Sequence, residues 1–91
     1  PFYELLKVSS DWLTQRGVQN SESVNYITEL FLGLSQDAVN KKSQGLKKLV
    51  LDSQTPRGIN EQALSELKKE KFYRNLNKVL DRIHLRIKKS K

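Results

Sequence analysis

The segment richest in usable chemistry is Thr55-Pro56-Arg57-Gly58-Ile59-Asn60-Glu61-Gln62. Proline followed by glycine makes a turn, with Thr55 pushed out of the helical region and Gly58 free to take a positive φ. The residues after it read as the start of a helix. Such a turn presents backbone N–H groups without intrahelical partners, and with them a partial positive charge. That is a receptive place for a carboxylate or a phosphate. Arg57 adds a guanidinium able to grip a carboxylate through two hydrogen bonds. A plain turn in which Asn60 caps the next helix accounts for the same residues, so both readings stay open at this point.

The rest of the chain offers little chemistry. No nucleophile is spaced to meet a base, and no two carboxylates form an acid/base couple. His84 lies between Ile83 and Leu85, among Arg82 and Arg86, and reads as a surface or interface histidine rather than a catalytic base. No Gly-rich phosphate loop of the G-x-G-x-x-G kind is present, and no strand for one to follow. The chain has no Cys and one His, so it offers neither disulfides, nor thiolate metal sites, nor a His-based zinc cluster. Its 91 residues suit one compact domain that hides roughly 60–68% of its unfolded surface. On these grounds the chain by itself lacks the parts of a complete enzyme.

The formal charge of +7 is unevenly placed. From Lys68 onward ten Lys/Arg meet Glu70 and Asp81, a net of +8, whereas before it seven basic residues meet eight acidic ones, a net of −1. Arg74, Lys78, Arg82 and the terminal lysines thus form a positive stripe, which a small helical module could present to nucleic acid. Only Phe72 and Tyr73 are at hand there for stacking, and no helix-turn-helix spacing is evident, so a solvated charged face is the simpler reading. No apolar run approaches the roughly 20 residues that span a bilayer, and no basic segment precedes an apolar one as in a signal peptide. The absence of Cys fits a cytoplasmic chain. The absence of an initiator Met fits a fragment or a processed chain.

The elements that must position the loop are all helical. A first helix is expected over about Pro1 to Arg16, with Phe2, Leu5, Leu6, Trp12 and Leu13 recurring at three- and four-residue steps around Ser9. Gly17 fits the left-handed position just past its end, with Val18 folding back on Leu13. A second helix, capped by Asn20 or Ser21, carries Val24, Ile27, Phe31, Leu34 and Ala38 at steps of three and four. That repeat of about 3.5 lays one helix along another. Tyr26, Leu30 and Val39 broaden it. Gly33 in its middle is either a place of close backbone approach or a tolerated glycine that costs roughly 1 kcal/mol against Ala.

Asn40 to Ser43 either interrupts this helix or forms a polar face. Leu46, Leu49 and Val50 follow to about Asp52, and Ser53 to Gly58 is the clear break. A helix resumes near Ile59 or Asn60 with Ala63, Leu64 and Leu67, and Glu70-Lys71 is a joint. A last helix carries Phe72, Leu76, Val79, Leu80, Ile83 and Ile87, with a frayed tail Lys88-Lys89-Ser90-Lys91. The second and last helices are two-sided, which four short helices cannot hide among themselves. A homodimer packed across a two-fold axis is the economical solution. Its interface is expected to draw on Val24, Ile27, Phe31, Gly33, Leu34, Leu76, Leu80 and Ile83.

Thr55-Pro56-Arg57-Gly58-Ile59-Asn60 resembles the Ser/Thr-Pro-Gly-Gly-Thr/Ala-Thr loop of pyrroline-5-carboxylate reductases. It is more similar to a divergent branch reading Thr-Pro-Gly-Gly-Leu-Asn-Glu-Gln, whose ending Asn60-Glu61-Gln62 matches. Pro1-Phe2-Tyr3, Leu5-Leu6, Trp12-Leu13 and Gly17-Val18 resemble the opening helix of the same branch. The resemblance implies an all-α fold over residues 1–91. This is the C-terminal dimerisation domain of the 6-phosphogluconate dehydrogenase C-terminal-like type, with helices interleaved between two subunits. It implies a parent oxidoreductase whose separate Rossmann domain holds NAD(P)H and passes hydride to a cyclic imino acid, as in proline biosynthesis. The substrate carboxylate would then be held by the Gly58 and Ile59 backbone with Thr55, Arg57 and Asn60, and no metal would be needed. Two positions depart from the pattern: Arg57 replaces the first loop glycine and Asn60 the last threonine, which leaves the substrate open.

Overall fold

The computed structural model describes residues 1–89, so the Ser90-Lys91 end of the basic tail lies outside the described residues. The described chain is all-α, with no strand. Its helices are α1 (Phe2–Gln15), α2 (Asn20–Lys41), α3 (Leu46–Asp52), α4 (Ile59–Lys69) and α5 (Phe72–Lys89). A single 3₁₀ turn, Lys42–Gln44, separates α2 from α3, so the polar stretch after Val39 does interrupt the helix. No described helix is long and apolar enough to cross a membrane. The chain divides into two compact units, Pro1–Leu49 and Val50–Lys91, with the division inside α3.

The first unit is an antiparallel hairpin of α1 and α2. α1 ends as its sequence implies. The Val18 amide donates to the Leu13 carbonyl (3.3 Å) and the Gly17 amide to Thr14 (3.1 Å), with Gly17 at φ +102°, which together make a Schellman ending. This turns the chain back so that α2 starts beside the end of α1. Expected caps Asn20 and Ser21 do not serve: α2 begins one residue earlier, with Gln19 in extended conformation at the cap and no side-chain cap bond. The tight turn after Gly17 leaves no residue with a short polar side chain at that point.

What the hairpin buries was not the expected apolar set alone. Ser23 is fully buried, Ser10 is buried, and Ile27 is the buried hydrophobic side chain among the described residues. The Thr14 hydroxyl lies 3.0 Å from that of Ser23 and 3.2 Å from the Ser10 carbonyl. Small hydroxyl side chains on both helices let the backbones approach, and the hydroxyls satisfy one another or a carbonyl of the preceding turn. Further along, Phe2 meets Phe31 edge-on at 6.1 Å between ring centres. α1 has 14 residues against 22 in α2, so roughly 12 Å of α2 extends past its partner. On the outside, the Lys7 ammonium donates to Asp11 at 2.8 Å. That hydrogen bond, then the charges of Asp11 and Glu4, hold the Lys7 pKa above its ordinary value.

The second unit runs from the end of α3 through the loop to α4 and α5. Glu70-Lys71 is the joint expected between the last two helices, with Lys71 at φ +62° and its amide on the Lys68 carbonyl (3.0 Å). Lys88 and Lys89 belong to α5, so this part of the tail is helical rather than frayed. No side chain of α4 or α5 is buried, and Leu64 is half-buried.

Taken one by one, the two units together expose at least 8336 Å², whereas two compact units of half of 10.6 kDa would together expose roughly 6,600 Å². Ile27→Ala should destabilise the hairpin by about 2–4 kcal/mol, while Leu32→Ala, at a position 63% exposed, should stay within about 0.5 kcal/mol. Denaturant unfolding followed by circular dichroism checks this, and equal effects would mean that Ile27 is not the hairpin's anchor.

Candidate functional site

Between α3 and α4 the chain makes a tight turn. The Gly58 amide donates to the Thr55 carbonyl at 2.7 Å, across Pro56 and Arg57. With proline second and a positive φ third, this is the pattern of a type II turn. The left-handed residue is Arg57, at φ +61°, and not Gly58, at φ −84° and ψ 170°, which corrects the expectation from sequence. Gly58 is needed for a different reason. A Cβ there would stand 2.8 Å from the Thr55 carbonyl oxygen and 3.1 Å from the Thr55 Cβ. Thr55 and Gly58 are thus the two loop residues brought into direct contact.

Asn60 does not cap α4. The cap position is Gly58, which has no side chain to offer, and the Asn60 side-chain amide reaches back to donate to the Ser53 carbonyl at 3.0 Å. Ser53 in turn donates its hydroxyl to the Val50 carbonyl (2.8 Å), and the Gln54 side-chain amide shares that acceptor (3.0 Å). These bonds tie the loop to the end of α3. At the start of α4 the Glu61 carboxylate accepts from the Arg57 amide at a long 3.4 Å. The first intrahelical bond runs from the Gln62 amide to the Gly58 carbonyl (3.1 Å), so the Ile59, Asn60 and Glu61 amides precede it. The Glu61 carboxylate already sits near the positive end of α4, where an incoming anion would have to share or take its place.

Thr55, Arg57, Ile59 and Asn60 are exposed, Ile59 at 85%, and Gly58 is half-buried. The loop is therefore an open ledge, not a closed pocket. Along α4, Glu61, Glu66 and Glu70 edge a shallow groove of about 550 Å³ with Lys69 among them. No group of three His, Cys, Asp or Glu among the described residues is arranged to hold a metal ion. His84 is exposed on α5.

The residues expected at an interface fall into three sets. Ile27 gives its side chain to α1 within the chain, and Phe31, half-buried, meets Phe2. Val24 and Leu34 are exposed on α2, and nothing lies within 4 Å of where a Cβ on Gly33 would stand. Leu76, Leu80 and Ile83 lie on one face of α5 and are each about half exposed. Sequence reasoning missed Ser10 and Ser23, which are buried through bonds from Thr14 to the Ser23 hydroxyl and the Ser10 carbonyl and so leave no hydrophobic trace.

Compared with protein-family models, with curated proteins and with solved structures, the chain matches none.

A non-glycine residue in the left-handed region costs roughly 1–2 kcal/mol, partly offset because glycine loses more freedom on folding, by about 0.4–1 kcal/mol. Arg57→Gly should therefore raise stability by about 0.5–1 kcal/mol, and Gly58→Ala should lower it by about 1–3 kcal/mol through the clash with Thr55. Paired thermal melts of the two variants are the check. A destabilised Arg57→Gly would mean that the arginine side chain has a structural role that outweighs its backbone strain.

Proposed function

We propose that this chain is an association domain whose apolar core is completed by a second copy of itself. The observation that carries the reading is the surface excess. Taking the two units one by one, it comes to at least roughly 1,700 Å² per chain over compact units of the same mass. An obligate dimer interface, at roughly 1,000–2,500 Å² per partner, is of that size. The exposed area is apolar at the positions a helix pair would use, with Leu34 60% exposed and Leu80 52%.

Within that reading, the domain is of the 6-phosphogluconate dehydrogenase C-terminal-like type. It belongs with the dimerisation half of a pyrroline-5-carboxylate-reductase-like oxidoreductase of the cytoplasm. The left-handed backbone at Arg57 supports this, because the resembled loop has glycine there, and so does the close approach that demands Gly58. NAD(P)H would sit on a separate domain and reduce a cyclic imine of the proline-forming kind. The free amides at the start of α4, with Thr55, Arg57 and Asn60, would hold the substrate carboxylate, displacing Glu61 from the Arg57 amide.

A second reading is favoured by the polar face of α5, where Arg74, Lys78, Arg82, Lys88 and Lys89 meet Asp81 alone among acids. A basic helical module would bind nucleic acid with an affinity that falls steeply as salt rises.

Light scattering on the eluting protein, across a dilution series, tests the association reading. A dimer persisting to low concentration is expected, and Leu34→Asp should weaken it by more than tenfold. In a lone chain the same change at so exposed a site would alter stability by about 0.5 kcal/mol. A wild-type monomer at all concentrations would overturn the reading.

A further inference from the structure

One side of the α1–α2 hairpin is a shallow apolar groove of about 370 Å³, lined by Val8, Ser9, Trp12, Leu13, Tyr26 and Ile27. It continues past Leu13 and Tyr26 to Val18 and Glu22. Along its α2 edge, Glu22, Tyr26, Glu29 and Gly33 follow at steps of four, three and four, so they share one stripe. Glu22 and Glu29 are exposed and make no ion pair among the described residues. One cation borders the groove near the hairpin turn: Arg16, stacked 4.9 Å over the Trp12 ring.

α5 has the opposite character. Phe72, Leu76, Val79, Leu80, Ile83 and Ile87 occupy about a third of its circumference, each 44–56% exposed. Arg82 and Lys89, seven residues apart, share one flank of that stripe. Its only acidic residue, Asp81, lies on the far side.

We propose that the acid-edged groove of the α1–α2 hairpin receives the cation-edged helix α5 of a second copy, and that the contact is reciprocal. This rests on the association reading and specifies its pairing. Groove against groove would set Glu22 and Glu29 against their own copies, and α5 against α5 would oppose two cationic edges. Groove against helix brings unlike charges together on both sides of the two-fold. The spacing agrees as well: Glu22 and Glu29 are seven residues apart, as are Arg82 and Lys89, so each pair is separated by roughly 10.5 Å along its helix. Edge charges in this relation fix partner and register in paired helices. The lengths are also compatible, since α5 spans roughly 27 Å and α1 roughly 21 Å.

The test uses two charge-reversed chains, Glu22→Lys/Glu29→Lys and Arg82→Glu/Lys89→Glu, with association followed by light scattering at low and high salt. Each alone opposes like charges at both contacts and should self-associate about a hundredfold more weakly than wild type at low ionic strength. Mixed one to one, they have unlike charges at both contacts, and a heterodimer within about threefold of wild-type affinity is expected. The neutral chains Glu22→Gln/Glu29→Gln and Arg82→Gln/Lys89→Gln cover a failure of the reversed ones to fold. Each should associate about tenfold more weakly and lose most of its salt dependence. Reversed or neutral chains that dimerise as wild type does would overturn the pairing while leaving the association reading intact. Weakening without rescue on mixing would also overturn it, because α5 is then not received by a second copy. A monomeric wild type would remove both.

Discussion

The first unit depends on one close crossing, where Ser10 and Thr14 of α1 face Ser23 of α2. Ser23 has no exposed surface at all, and its hydroxyl lies 3.0 Å from that of Thr14. Bulkier side chains on both helices would hold the axes apart and open the interior to water. With serine on each side, the backbones come near enough for Ile27 to be covered by a helix of only 14 residues. The Schellman ending at Gly17 delivers α2 to that crossing, and the Phe2–Phe31 contact closes the far end.

A core of this size sets what the rest of the chain can be. Isolated helices of fewer than about 12–15 residues are marginal in water, and longer ones still draw most of their stability from packing. α5 has 18 residues, a well-separated apolar stripe and no buried side chain. Local helix propensity alone does not account for so regular an apolar face, whereas packing on another surface does. The overhanging end of α2 is in the same position, because its seam continues through Leu34 and Ala38 beyond the reach of α1. Both segments keep the sequence pattern of an interior while lying outside the interior of their own unit.

Much of this was legible because it depends on local steric rules. Glycine at position 17, proline at 56 and the steps of three and four in α2 and α5 each act over a few residues, and the helix boundaries followed from them to within about a turn. The crossing was not legible, since hydrophobic patterning ignores serine, and only the tertiary approach of two helices makes Ser10 and Ser23 interior residues. The cap of α2 was misplaced for a related reason: the turn after Gly17 fixes where the helix starts, and Gln19 occupies the cap whatever its side chain offers. In the loop, the presence of a turn was readable from Pro56 and Gly58. Which residue takes the left-handed conformation was not, because residue preference points to glycine while chain geometry assigns that conformation to the third position of the turn.

That last point bears on what the loop is for. Proline at the second position and the 2.7 Å bond from the Gly58 amide to Thr55 close the turn. Within it Arg57 adopts φ +61°, although a type I turn, which the same proline and bond allow, would spare it that conformation. Strain of this kind persists where surrounding structure over-determines the backbone. Here Asn60 on Ser53, Ser53 and Gln54 on Val50, and Glu61 on the Arg57 amide supply that determination from both sides. The Arg57 backbone is thereby held at the positive end of α4, where its amide donates to the Glu61 carboxylate at 3.4 Å. A loop needed merely to change the chain's direction would gain stability by returning glycine to position 57. One that must hold an anion gains a bidentate donor by keeping arginine there.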